Sequence, residues 1–293
     1  MEITIIINFL LLLVTKTYFF KSTLALNFTC NSFSQGDLLL SGAARINSGA
    51  ILLTNSTAIF AVGRAFYPSP IPFRPSPDAN HIFPFSTSFV LSITPPQRPR
   101  LPGHGMAFVV VPAAGTEGAS PGKRLGLTNY TNDGNPKNHL FAVEFDVFRD
   151  QDLNDMDYNH VGVDLNSVKS LVAHEAGYWG GDGGNESFVK LKLNNGDKYR
   201  VWTDYVAVGG RLTVTMAPLN VGRPPKPLIE VVVDLSAVFL DDMYVGFAAA
   251  TGNFVENHEI HSWNLTVPPA GSMKMELLGG GATDCVKTEV GIN

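Results

Sequence analysis

Cysteine and charge are both scarce in this chain. Two cysteines, Cys30 and Cys285, stand among 293 residues, with no C-x-x-C pair and no zinc-finger spacing. That excludes a cysteine-dense scaffold and a dithiol redox motif. Charged residues make up 16% of the chain and the net charge is −5. No basic stripe interleaved with aromatics occurs, so nucleic acid is not expected as a partner. Beyond residue 25 no apolar run is long enough to cross a bilayer. The end, GGGATDCVKTEVGIN, lacks the hydrophobic tail that a glycolipid anchor needs. Helical periodicity is nearly absent, the exception being one or two turns at 235–240. His258-Glu259-Ile260-His261 has one residue too few between Glu and the second His for the helical zinc-protease pattern.

Turn formers and short apolar runs are plentiful. The chain holds 28 Gly and 19 Pro and is 45% hydrophobic. β-rich runs fall at 51–54, 58–66, 86–93, 106–111, 140–148, 161–165, 188–193, 199–205, 212–217, 229–233, 244–250 and 259–266. So many regularly spaced strands without helices predict an all-β domain of two packed antiparallel sheets.

The first stretch is apolar from Ile3 to Val14, is interrupted at Lys16, and offers small residues around Thr23-Leu24-Ala25 for cleavage. This reads as a signal peptide over 1–25, although Glu2 stands where a basic residue is usual. A single domain over 26–268 and a Gly-rich flexible tail over 269–293 then follow. The expectation is a secreted, extracellular (apoplastic) protein; the alternative is membrane association through an uncleaved N-terminal segment. Asn27, Asn55, Asn129, Asn185 and Asn264 open N-x-S/T sequons, as suits a secreted glycoprotein. In an oxidising compartment Cys30 and Cys285 either pair within the chain or leave Cys285 free or bonded to another chain.

Residues 141–170, FAVEFDVFRDQDLNDMDYNHVGVDLNSVKS, combine an apolar strand with an acidic loop. Glu144, Asp146, Asp150, Asp152, Asp155 and Asp157 all fall here, with Arg149 the one cation among them. A strand would put Glu144, Asp146 and Phe148 on one face. Like charges so close are unfavourable unless something positive joins them. Carboxylate oxygens suit hard divalent cations, and His160 adds an imidazole suited to a transition metal. The alternative is an acidic hairpin facing water.

A series of motifs carries a resemblance along nearly the whole chain after the leader. GRAFYPSPIPF at Gly63, FSTSFVLSITP at Phe85, GHGMAFVVVP at Gly103, LGLTN at Leu125, FAVEFDVF at Phe141, NHVGVDLNS at Asn159, TMAPL at Thr215 and MYVGFAAATG at Met243 occur in one order. The sequence resembles the legume-type lectin domain, most closely the extracellular lectin module of plant lectin receptor kinases, with no kinase segment expected here. The resemblance implies a jelly-roll β-sandwich with Ca2+ and Mn2+ beneath a sugar site formed by loops. It assigns the transition metal to Glu144, Asp146, Asp155 and His160, with Ser170 reaching a metal through water. It assigns Ca2+ to Asp146, the Phe148 carbonyl, Asp150 and Asp155. The five-residue steps from Asp150 to Asp155 and from Asp155 to His160 match the family.

For sugar, the resemblance points to His104, Gly122, Phe148 and Asp150, with the loop 251–258 closing the site. Two positions depart from the family. His104 stands where the family has Asp, and Asp150 where it usually has Asn. A neutral imidazole offers one acceptor and one donor in place of a carboxylate's acceptor pair, and Asp150 loses an amide donor. The family also implies a cis bond before residue 104. The function expected is a carbohydrate-binding protein of weak sugar affinity. The alternative is a sugar-independent recognition module for a peptide, glycolipid or apolar ligand. Hydrolysis is not expected, because sandwich glucanases need a third carboxylate on the strand where this chain has Phe148. Expected partners are a carbohydrate or glycoconjugate, a cell-surface protein or lipid, and a second copy in a homodimer.

Overall fold

Alternation of apolar and polar side chains, cut every few residues by Gly, Pro or Asn, folds into strands and little else. The computed structural model describes residues 24–96, 101–181, 186–268 and 285–291. In chain order the first strands are β1 (Leu24–Cys30), β2 (Leu39–Gly42), β3 (Arg45–Asn47), β4 (Ala50–Thr54), β5 (Val62–Phe66) and β6 (Ile71–Pro72). Next come β7 (Phe85–Thr94), β8 (Gly105–Val111), β9 (Phe141–Asp146), β10 (His160–Leu165), β11 (Val172–Glu175), β12 (Gly177–Gly180) and β13 (Ser187–Lys190). The series ends with β14 (Tyr199–Val206), β15 (Arg211–Pro218), β16 (Ile229–Val232), β17 (Asp242–Ala250), β18 (Asn257–Val267) and β19 (Val286–Gly291).

The back sheet runs β16-β15-β14-β7-β18-β1-β19, with β4 also paired to β18 and β3 to β4. The front sheet runs β11-β10-β9-β8-β17-β5-β2, with β6 beside β17. Strands β12 and β13 form a separate hairpin, and the pairings among the described strands are antiparallel. This is an all-β jelly-roll sandwich of the expected kind. The helical stretch at 235–240 is a short 3-10 turn, Leu235–Ala237.

Aromatic rings tie the two sheets together. Phe89 of β7 lies 5.0 Å from Phe247 of β17 and 5.8 Å from Phe145 of β9, ring centre to ring centre. Trp263 of β18 is 5.0 Å from both Phe247 and Phe28 of β1. These rings are buried, and the edge-to-face geometry adds to what their burial alone contributes. On its other face the front sheet carries Ala107, Ala142 and Ala248, roofed by Leu125, Leu127 and Leu153 from the loops. Small side chains on that face let the loops settle close to the sheet.

Two boundaries differ from expectation at the chain ends. Strand β1 starts at Leu24, two residues inside the segment assigned to a leader, whose remainder lies outside the described residues. Residues 269–284 of the expected tail also lie outside them, but β19 is a strand, not flexible tail. It pairs with β1 from Leu24↔Gly291 to Thr29↔Val286, and a Cys30–Cys285 disulfide holds its start against the sheet.

Candidate functional site

The site is built at one end of β9. Inward Phe141, Val143 and Phe145 belong to the main core, so strand alternation sends Ala142, Glu144 and Asp146 to the loop-covered face. Antiparallel pairing sets His160 opposite Asp146, and Gly162 opposite Glu144. Gly162 is required: a Cβ there would meet Ser170 Oγ at 2.1 Å and Glu144 Oε1 at 2.5 Å. The strand stops at Asp146, not at residue 148 as expected, because Asp146 Oδ1 accepts the Phe148 N–H at 2.6 Å and turns the chain into the loop.

Asp146, Asp155 and His160 each bring a ligand atom within 4.8 Å of the others. Glu144 Oε1 lies 3.5 Å from His160 Nε2. Asp155 Oδ2 accepts the Asp150 N–H at 2.6 Å, which folds the five-residue step into a closed turn. Ser170 donates to Glu144 and lies 2.9 Å from Asp164 Oδ1. Asp157 Oδ1 approaches His160 Nδ1 at 3.4 Å. A cavity of about 270 Å³ opens beside Asp155, His160 and Ser170.

So much negative charge in a buried place is costly, and the ionisations show it. Burial pushes the Asp146 carboxyl well above the usual range, and the Glu144 charge adds to it. Asp155 is pushed up to about 6, again chiefly by burial. For His160, burial works downward, but the Glu144 contact and the charges of Asp155 and Asp157 outweigh it and raise the imidazole. Asp164 was missed by the sequence reading. It is fully buried, raised by burial and by Glu144, and its Oδ2 has no hydrogen-bond partner. Its one signal was a lone acid in the apolar strand HVGVDL, which alternation puts on the face of His160 without saying what it meets there. His160 Nδ1 likewise lacks a hydrogen-bond partner. Crowded carboxylates and unsatisfied buried ligand atoms fit a divalent cation.

Above this cluster, His104, Phe148 and Asp150 come together as expected. His104 Nδ1 lies 3.1 Å from Asp150 Oδ2, and its ring centre is 4.7 Å from that of Phe148. Gly122 takes φ +68° and backs the imidazole, as does Gly252, where a Cβ would approach His104 Nε2 to 2.6 Å. Phe148 is half-buried at the rim and belongs to neither core cluster, with Phe254 of the closing loop stacked 6.4 Å away. The cis bond expected before His104 is not found: no described peptide bond is cis. A non-proline cis bond costs about 3 to 4 kcal/mol. His104 reaches the pocket without one, because Gly105 adopts φ +154° and the His104 carbonyl accepts the Val147 N–H at 2.9 Å.

Of the sequon asparagines, Asn27, Asn55, Asn129 and Asn264 are all partly exposed, and Asn185 lies outside the described residues. Asn55 and Asn129 sit in turns where their side-chain oxygens accept from Thr57 and Thr131, the hydroxyl residues of their own sequons.

A two-sheet antiparallel sandwich with an acid-and-imidazole cluster under loops that gather His104, Phe148 and Asp150 has the architecture of a binding module. The chain belongs to the legume lectin domain family, matched over residues 25–277, whose members are carbohydrate-binding and non-enzymatic. It is 48% identical over 220 residues to a lectin-like protein of Arabidopsis thaliana, covering 74% of this chain and 79% of that one. L-type lectin-domain containing receptor kinase VII.1 of the same plant is 44% identical over 244 residues, 83% of this chain and 34% of the kinase. Peanut lectin with a 9mer peptide superposes with a TM-score of 0.71 at 27% identity, over 85% of this chain and 99% of that one. Lectin UEA-II complexed with galactose gives 0.67 at 28% identity, over 82% and 97%. No helix among the described residues is long and apolar enough to cross a membrane.

Proposed function

We propose that the chain is an extracellular lectin-like protein that binds carbohydrate weakly at the His104, Gly122, Phe148 and Asp150 cleft, above a loop organised by Ca2+ and Mn2+. Glu144, Asp146, Asp155 and His160, with Ser170 behind them, would hold the transition metal. Asp146, the Phe148 carbonyl, Asp150 and Asp155 would hold calcium. Bound ions would neutralise the buried carboxylates and rigidify the loop. Phe148 offers a ring to one face of a pyranose, and His104 offers a single acceptor and donor.

The observation that carries this reading is the inward imidazole: His104 faces Phe148 at 4.7 Å and contacts Asp150 at 3.1 Å. That same contact sets the limit. While Asp150 Oδ2 accepts from His104, fewer acceptors are left for sugar hydroxyls, and affinity is low. A glycan array read with calcium and manganese, then with chelator, tests the reading. Metal-dependent signal on at least one glycan class is expected; silence in both conditions would remove it.

A second reading is favoured by the ring cluster at the rim. Phe148 stands 6.4 Å from Phe254 and 6.2 Å from Tyr158, which presents an apolar strip beside the cleft. The peanut lectin relative was solved with a nine-residue peptide. On this reading the module recognises a peptide, glycolipid or other apolar ligand, and the metals serve the loop alone.

A further inference from the structure

Thr251 directly follows β17, where the strand gives way to the loop closing the cleft, and it is 0% exposed. Each of its polar groups has a partner. The N–H donates to the Ala61 carbonyl at 2.9 Å, and the carbonyl accepts the Gly122 N–H at 3.0 Å. The hydroxyl accepts the Ala61 N–H at 3.0 Å and donates to the Ala58 carbonyl at 2.6 Å. Both directions are fixed, because a backbone N–H only donates and a backbone carbonyl only accepts. One buried residue therefore joins two stretches that the sequence keeps apart, the loop 58–61 before β5 and the turn at Gly122.

These stretches meet behind His104. A Cβ on Gly252 would lie 2.6 Å from His104 Nε2 and 3.8 Å from the Gly122 Cα, and one on Gly122 would lie 3.4 Å from the same nitrogen. The two glycines form the wall on which the imidazole rests. Gly122 is bonded to the Thr251 carbonyl, and the Gly252 carbonyl accepts the Phe60 N–H at 3.0 Å. Phe60 takes φ +50°, although it is no glycine, and is 55% exposed. A bulky residue in the left-handed region is strained, and so exposed a side chain gains little from burial in return. The backbone bonds on either side must keep it there. Two of them end on the Thr251 hydroxyl, from Ala58 and from Ala61.

We propose that Thr251 is a positioning residue of the cleft: its hydroxyl clamps the loop 58–61, with Phe60 in the left-handed region, onto Gly252 and so fixes the glycine wall that backs His104. The hydroxyl is buried, so it acts on a ligand only through that wall. This role rests on the lectin reading, because the wall belongs to the cleft assigned there to sugar. Without the hydroxyl the Ala61 N–H and the Ala58 carbonyl lose a partner, Phe60 relaxes from φ +50°, and the Gly252 wall moves with it.

Thr251→Val keeps the shape and removes the hydroxyl, whereas Thr251→Ser keeps the hydroxyl. Galactose and N-acetylgalactosamine binding is measured on the full chain with Ca2+ and Mn2+ present, well below the melting temperature of each variant, together with the imidazole NMR signals of His104. Thr251→Val should weaken sugar binding about fivefold or more, the equivalent of one lost hydrogen bond, and shift the His104 signals. Thr251→Ser should restore both. Adding Phe60→Asn to Thr251→Val should recover part of the loss, because asparagine tolerates the left-handed region. A threonine that only stabilised the fold would lower the melting temperature and leave affinity and His104 signals at wild-type values, and that result would overturn the proposal. If Thr251→Val does not fold, wild type still decides. Its amides at Phe60, Ala61 and Gly122 should exchange through one common opening, and independent opening of Ala61 and Gly122 would overturn the clamp. His104 signals that shift in Thr251→Val while neither sugar binds even wild type would support the positioning role and count against the lectin reading, which keeps the two failures apart.

Discussion

His104 decides what the cleft can accept. Its Nδ1 faces Asp150 Oδ2 at 3.1 Å, and its Nε2 lies against the glycine-lined wall made by Gly122 and Gly252. The pairing of imidazole with carboxylate closes on itself instead of opening toward a ligand. Replacing both partners, His104→Asp with Asp150→Asn, would supply a carboxylate acceptor pair and an amide donor, each hydrogen bond being worth about 1 kcal/mol net, or roughly fivefold. Titration calorimetry with galactose should then show at least several-fold tighter binding, provided elemental analysis finds the metals retained. If the double variant keeps its metals and still binds no monosaccharide at millimolar concentration, the other loops are not shaped for sugar, and the apolar-ligand reading takes over.

At the scale of the element, the loop between β9 and β10 sets a series of local hydrogen bonds against much unfavourable charge. The Asp150 N–H to Asp155 contact and the Phe148 N–H to Asp146 contact shape it, while burial and mutual repulsion raise Asp146 and Asp155. The linkage runs in one direction. A carboxyl whose folded value is raised contributes stability below its unfolded value and loses it as pH rises through the folded one. For Asp155 that window runs from 3.8 to about 6. Metal-free protein should therefore melt at progressively lower temperature as pH rises through this range. Adding Ca2+ and Mn2+ at neutral pH should restore the melting temperature, and chelator should lower it again. A melting temperature indifferent to both pH and metal would mean that the cluster is no cation site. The pattern of acids was legible before the fold was known, because it lies within one strand and the loop that follows. What local pattern could not supply was Asp164, which reaches Glu144 only through the hydrogen-bonded neighbour strand and Ser170.

The whole molecule is closed at its ends by a covalent link and a strand. Cys30 and Cys285 are separated by 255 residues in sequence, and the bridge fastens β19 along β1 at the margin of the back sheet. Side chains of Val286, Lys287 and Thr288 are exposed, so these three residues bury little apolar surface against the sheet. Reduction should release it and lower stability by about 2 to 5 kcal/mol, the range for losing a native disulfide. Denaturant unfolding with and without dithiothreitol measures the loss, and hydrogen exchange on Leu24–Cys30 should rise with it. Unchanged stability and an unchanged β1 would show that pairing alone secures the strand. The ring contacts of Phe89 with Phe145 and Phe247 lie off β1 and should keep their protection on reduction, whereas Trp263, paired opposite Cys30, should lose some.

Strand by strand, the all-β character was readable from short β-rich runs bounded by turn formers, which are local properties of the chain. The runs at 86–93, 106–111, 161–165, 199–205, 212–217 and 244–250 lie within β7, β8, β10, β14, β15 and β17 for that reason. The short β2, β3 and β11 escaped because few residues alternate in them, and β1 because its apolar start merges with the leader. Resemblance in ordered motifs, not periodicity, identified the family. Only the tertiary structure decided that Cys30 meets Cys285, that β19 adds to β1, and that Thr251 ties the loop 58–61 to Gly122. Each of these joins segments far apart in sequence, and no local pattern of burial or charge records which distant segment will arrive. The trans bond before His104 was decided there as well. Its conformation depends on Gly105, Val147, Gly122 and Gly252 closing around one imidazole, a set drawn from four separate parts of the chain.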